Sequence, residues 1–175
     1  MSLFVLTVGL MTVLALISSS LRQSYETRDT IIAVELAQEG VELVRNVRDN
    51  GFISDPTDPF KRFLSQKHCR IDYTVDSNAD LNCRGSVDTL DYLLQYKDGF
   101  YQYDATGTGS RFSRYVYIDY SNANQTAIVR SFVYWGRGAS GMFVLGDAGS
   151  TGDTAYCTVA KKCVFTEILL TRWKG

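Results

Sequence analysis

MSLFVLTVGLMTVLALISSSL, residues 1–21, runs without a break into RQSYETRDTIIAVELAQEGVELVRNVRDN, residues 22–50. The first stretch carries no charged side chain, and the second is charged and amphipathic. Neither a Gly/Pro linker nor an A-x-A cleavage pattern separates them. The pair reads as one helix that begins in an apolar environment and ends in water. At 1.5 Å per residue such a helix is about 75 Å long, more than a domain of this size needs for its own core.

In the second stretch Leu36, Gly40, Leu43 and Val47 form one stripe, with Ala33, Ala37, Val41 and Val44 beside it. Glu35, Gln38, Glu42, Arg45 and Asp49 recur at spacings of three and four on a polar stripe. The apolar side is expected to pack on the protein's own sheet, and Gly40 to allow a close backbone approach there. Asn50-Gly51 is expected to end the helix as a C-cap pair.

Asp55-Pro56-Thr57-Asp58-Pro59 is a turn-rich exit. Strand-like runs follow at residues 69–75, 90–96, 113–120, 126–135 and 164–173. Between Arg114 and Tyr120 the side chains alternate, with Tyr115, Tyr117 and Asp119 on one face and Val116, Ile118 and Tyr120 on the other. Asn122-Ala123-Asn124 reads as a hairpin turn. Residues 106–110 and 136–152, rich in Gly, Ser and Thr, read as loops. The expected fold is α+β: a long N-terminal helix, its first half apolar and protruding, packed by its second half on a C-terminal antiparallel sheet. Three parts are expected: an apolar helix segment over 1–21, an amphipathic helix half over 22–50, and a sheet-based head over 51–175.

The 175 residues suffice for one domain and an extension. A net charge of −1 gives no general attraction to nucleic acid or anionic lipid. Four cysteines, an even number, in a chain with a membrane-inserting start point to an oxidising compartment. Cys69 with Cys83 and Cys157 with Cys163 is the local pairing, chosen from three. Zinc is the alternative, but the spacings lack paired C-x2-C knuckles.

Residues 1–21 meet the length of a membrane span, about 20 apolar residues. They lack the basic residues that precede the core of a cleaved signal peptide. Arg22, Arg28, Arg45 and Arg48 lie after the span and would draw that side inward, against the cysteines. A basic leader ahead of this numbering would resolve the conflict.

Together these features resemble the bacterial type IV pilins and pseudopilins. The resemblance rests on the apolar start, on AVELAQEGVELVRNVRDN over 33–50, and on Asp98-Gly99-Phe100-Tyr101. It rests also on Arg111-Phe112-Ser113-Arg114 and on the closing Thr166–Trp173. It implies a structural subunit of an extracellular filament that assembles as an open helical homo-oligomer. The filament core would be Leu3, Phe4, Val5, Leu6, Val8, Leu10, Met11, Val13, Leu14, Leu16 and Ile17. It further implies processing by a prepilin peptidase to a methylated Met1, and residence in the cytoplasmic membrane before the pilus machinery assembles it. Adhesion to a host or other surface ligand, twitching motility and DNA uptake are the roles implied. The family usually has Glu at the fifth mature position, where it neutralises a neighbour's amine, and here that position is Val5. A buried ammonium without a partner is costly. In secretion-type pseudopilins the loss of this Glu marks a tip subunit. A minor pilin or pseudopilin is therefore one alternative, and a membrane-anchored binding domain is another. Gly9 and Ser18, Ser19 and Ser20, poor helix formers, are expected to loosen if the filament stretches.

Asp76, Asn78 and Asp80 give the D-x-N-x-D start of a calcium loop, but Leu81 and Val87 stand where Gly and Glu are needed. The segment reads as an Asx-rich turn, with calcium as the alternative. Asn124-Gln125-Thr126 is a glycosylation pattern that reads as an ordinary turn. No metalloprotease, nucleophile-elbow or phosphate-loop motif occurs, so neither catalysis nor a cofactor is expected. The tyrosines at 92, 96, 101, 103, 115, 117 and 120 read mostly as core. Exposed ones beside Arg111, Arg114 or Arg130 would be needed to bind DNA or a surface ligand.

Overall fold

The structure is a computed structural model that describes residues 2–58, 60–63, 67–74, 82–84, 92–103, 106–136, 152–155 and 157–172. Two compact units divide the chain, Met1–Ile32 and Ala33–Gly175. Helix α1 spans Ser2–Ser54. The strands are β1 His68–Arg70, β2 Asn82–Arg84, β3 Leu93–Lys97, β4 Phe100–Gln102, β5 Thr108–Ser121, β6 Thr126–Trp135 and β7 Cys163–Thr171. These seven described strands form one sheet, antiparallel at every pairing. The architecture is α+β, with α1 packed on the sheet.

Strand β5 organises the sheet. One of its edges pairs β3 near its start and β1 near its end, while the other pairs β6 over ten register positions. Its side chains alternate as the sequence predicts, yet both faces are buried from Phe112 to Ile118. Val116 and Ile118 join Val41, Val44 and Val47 of α1 in one core, with Val129, Phe60 and Phe63. Tyr115 and Tyr117 point the other way, into a second core with Tyr92, Phe132, Cys157 and Cys163. The strand is buried on both sides because α1 covers one face and the disulfide-closed segment covers the other.

Helix α1 does not end at Asn50. It continues to Ser54, and Gly51 is buried within it. The Gly51 carbonyl accepts from the Asp55 amide at 2.8 Å and from Ser54 Oγ at 3.1 Å. Pro56 then stops the helix, because the residue before a proline is driven out of the α region. Glu42 and Arg45 pair on the exposed side at 2.6 Å.

Strand β1 is shorter than the expected 69–75. The Asp72 carboxylate accepts from Thr74 N at 3.0 Å and from Tyr103 N at 2.9 Å, which turns the chain away from the ladder. Residues 108–110, expected in a loop, belong to β5 and pair β3 through Gln95 opposite Gly109 and Tyr96 opposite Thr108. Strand β3 runs to Lys97, while positions 90 and 91 lie outside the described residues. Strand β6 has the expected limits, and the β5–β6 turn falls on Asn122–Gln125. Strands β2 and β4 went unrecognised in the sequence. Asp98-Gly99, both with positive φ (52° and 91°), form the tight turn that makes β3 and β4 a hairpin.

Candidate functional site

Within Met1–Ile32 the candidate site is the apolar surface of α1. From Leu6 to Arg28 every residue is exposed. The exposure of Leu6 (70%) and Met11 (72%) leaves large side chains without apolar cover in the isolated chain. Val8, Leu10, Val13, Leu14, Leu16 and Ile17 are likewise exposed. Among the described residues, α1 is long and apolar enough to cross a membrane. The backbone of Leu3, Phe4 and Val5 is helical, while their side chains and Met1 lie outside the described residues.

Helical geometry meets the backbone's own needs along this segment, and two of its hydroxyls follow suit. Thr12 Oγ1 donates to the Gly9 carbonyl at 2.8 Å, and Ser19 Oγ donates to the Leu16 carbonyl at 3.0 Å. The helix runs unbroken through Gly9 and Ser18–Ser20. Nothing lies within 4 Å of where a Cβ on Gly9 would be, so that face is open. The first charges are Arg22 and Glu26, which pair at 3.6 Å on the exposed surface.

The Ala33–Gly175 unit is pinned internally. Cys69 bonds Cys83 and Cys157 bonds Cys163. The first bridge joins residues directly opposite in the β1–β2 ladder. The second closes a short loop with a 3-10 turn at Val159–Lys161, where Thr158 Oγ1 accepts from the Lys161 amide. His68 lies beside Cys69 yet serves the aromatic core: it is buried, with Nδ1 2.6 Å from the Tyr115 hydroxyl.

Arg114 is not a surface cation. It is fully buried, and its guanidinium donates to the carbonyls of Ile71 (2.6 Å) and Leu36 (3.3 Å) and meets Glu39 at 3.2 Å. Arg130 pairs with Glu167 and donates to the Gly152 carbonyl. Neither is therefore available as a partner for exposed tyrosines. Tyr92, Tyr115 and Tyr117 are buried, whereas Tyr96 is exposed and rings with Tyr101 at 5.3 Å. Burial pushes the hydroxyl pKa of Tyr103, Tyr115 and Tyr134 above the ordinary tyrosine value. A hydrogen bond to Asp119 raises that of Lys67.

The candidate calcium positions Asp76, Asn78 and Asp80 lie outside the described residues. Among the described residues no cluster of three His, Cys, Asp or Glu side chains could hold a metal. Sequence reasoning did not single out Arg114 as a core residue, and the alternation it recognised was the available signal. Arg114 shares a face with Val116 and Ile118, so the same pattern sends its side chain toward α1. No protein-family model, curated protein or solved structure matches this chain.

Proposed function

We propose that the protein is a structural subunit of a type IV pilus-like extracellular filament, assembled by burying its N-terminal apolar helix among those of other copies. The observation that carries this reading is the exposed, internally hydrogen-bonded surface of Leu6–Leu21 on a helix whose later half packs on a disulfide-pinned antiparallel sheet. Before assembly, residues 1–21 would lie in the cytoplasmic membrane. Covering one large apolar side chain is worth about 1.5–3 kcal/mol relative to water. Relative to lipid the gain is mostly packing. Contacts between copies are heterologous, so the assembly is open and helical. Adhesion, twitching motility and DNA uptake are the roles such a filament serves.

Val5 favours a second reading, a minor or tip subunit, because that side chain offers no carboxylate to a neighbour's amine. Electron microscopy of filaments sheared from native cells, with mass spectrometry of the main band, separates the two. A dominant band matching this chain establishes the major subunit. Filaments of another protein carrying traces of this chain establish the minor one. A chain that stays wholly in the membrane fraction, with no filament, overturns both in favour of an anchored binding domain.

A further inference from the structure

Three of the described strands, β2, β4 and β7, pair with one neighbour each. Strands β2 and β4 have three residues each, whereas β7 has nine. Sheets usually blunt a long edge with proline, lysine or a bulge. Cys163–Thr171 contains neither proline nor lysine, and its register against β6 runs without a break. Its one charge, Glu167, is paired with Arg130 directly opposite on β6. The edge is also firmly mounted, since Leu170 is buried and Ile168 packs on the core shared with α1.

The hydrogen bonds show which backbone groups this edge offers. The Trp135 amide donates to the Lys162 carbonyl, and the Arg172 amide to the Gln125 carbonyl. Bonded and non-bonded pairs alternate along an antiparallel ladder. The even-numbered residues of β7 therefore bond β6, and the odd-numbered ones point outward. At both ends the chain itself uses an outward group. The Cys163 amide donates to the Thr158 carbonyl at 3.0 Å, and the Thr171 carbonyl accepts from Arg48 Nη1 at 3.5 Å. Between these ends the amides and carbonyls of Phe165, Glu167 and Leu169 face outward, with no partner among the described residues. An antiparallel strand of the same sequence fits this window about Glu167. Phe165 of one copy then stands opposite Leu169 of the other, and Glu167 opposite Glu167. Every outward group of those residues gains a partner. The next pair would set the Cys163 amide against the Thr171 carbonyl, the two groups each chain already satisfies itself. Phe165 and Leu169, both exposed, form a favourable apolar cross-strand pair. The two Glu167 carboxylates approach each other, but each stays beside its own Arg130, so the row carries no net charge.

We propose that β7 is a pairing edge for a second copy of this chain, joined antiparallel about Glu167 over residues 165–169. The placement of the two closed ends selects a second copy. They fall opposite one another, so neither chain presents an unmet group to the other's closed end. The contact is two-fold, unlike the heterologous contacts that lengthen a filament. In the filament reading it therefore joins heads that are not successive along one filament. The pairing itself does not depend on that reading.

The test is made on the full chain in detergent. Hydrogen exchange of the Phe165, Glu167 and Leu169 amides is followed by NMR against protein concentration. It is expected to slow about tenfold once the concentration exceeds the dissociation constant by that factor. Register is read by mixing Phe165→Cys chains with Leu169→Cys chains. Opposite residues of a hydrogen-bonded pair lie about 5.5 Å apart at Cα, inside the disulfide range of about 4.4–6.8 Å. The mixture is expected to form the 165–169 bridge, mapped by mass spectrometry beside the two native bridges. Neither variant alone is expected to form a 165–165 or 169–169 bridge. Glu167→Pro removes an outward amide and leaves the β6 ladder its bonds, so it is expected to abolish protection of the Phe165 and Leu169 amides, whereas Glu167→Gln keeps it. Association through the apolar helix alone would leave all three amides unprotected and give equal bridging in mixed and single samples, which overturns the proposal. Exchange independent of concentration, with no bridge, leaves the edge to a strand of another protein or to none, and overturns it equally. Should Glu167→Pro fail to fold, the exchange and mixing results decide without it.

Discussion

Gly40 is a residue whose value lies in what it lacks. Alanine there would gain about 1 kcal/mol of helix propensity. It would also place a methyl against Ser131 and Arg114, whose side chain is held at its far end by two carbonyls and a carboxylate. Overpacking of this kind costs about 1–3 kcal/mol. Gly40→Ala is therefore expected to be destabilising by about 1 kcal/mol and Gly40→Val by more, read as a lowered urea midpoint with an unchanged slope. The buried tyrosines set a second expectation at this scale. Burial raises the pKa of Tyr103, Tyr115 and Tyr134 in the fold above the ordinary 10.0. The corresponding stability is fully present below the unfolded value and is lost as pH rises through the folded values. Lys67, raised from 10.5 by its hydrogen bond to Asp119, acts in the same direction. Thermal melts should thus fall progressively above about pH 10, with the part of the tyrosinate absorbance due to these buried rings appearing only at unfolding. Early ionisation of all tyrosines in a still-folded protein would contradict this.

Among the elements, β2 depends most on a covalent link. It has three residues, and among the described strands it pairs only β1, itself three residues long. Cys69 is fully buried in the core shared with α1, so the bridge ties β2 to that core. Replacing Cys69 and Cys83 together by alanine is expected to cost about 2–5 kcal/mol. Hydrogen exchange should rise first in β2 and β1 while β5 and β6 stay protected; uniform loss of protection would show a global role instead. The elements also show what the sequence made legible. The amphipathic period of residues 33–47 and the alternation of 114–120 fixed α1 against β5, because both depend on side-chain spacing alone. The close approach at Gly40 was readable for the same reason. Strands β2 and β4 were not, since three residues carry too little periodicity. The Asp98-Gly99 turn was visible in composition, but its role depends on β4 pairing beyond it. The helix end was misplaced because Asn50-Gly51 resembles a cap, whereas burial of Gly51 keeps the helix going. The early end of β1 depends on Asp72 meeting the distant amide of Tyr103, which no local pattern contains.

For the whole molecule, the apolar surface and the folded head are open to separate disruption. Leu10→Asp or Leu14→Arg adds a charge that costs about 2.5–3.5 kcal/mol in the middle of an apolar span. The expected outcome is loss of sheared filaments with the head's thermal transition unchanged, measured on detergent-solubilised protein. Filament yield equal to the parent would contradict the proposal that Leu6–Leu21 is an assembly surface. The exposed apolar surface from Leu6 to Ile17 was legible at this scale, because an uninterrupted apolar run needs no tertiary information to be recognised. No binding surface on the head was legible, since exposed side chains such as Tyr96 and Phe100 follow no period.

The hydroxyls of Thr12 and Ser19 have a consequence for how such a helix could change surroundings. Each is bonded to a carbonyl of its own helix, at 2.8 and 3.0 Å. Neither needs anything from lipid, detergent or another protein. At these two positions the helix can be lifted out of one greasy medium and set into another without stranding a hydroxyl donor on the way.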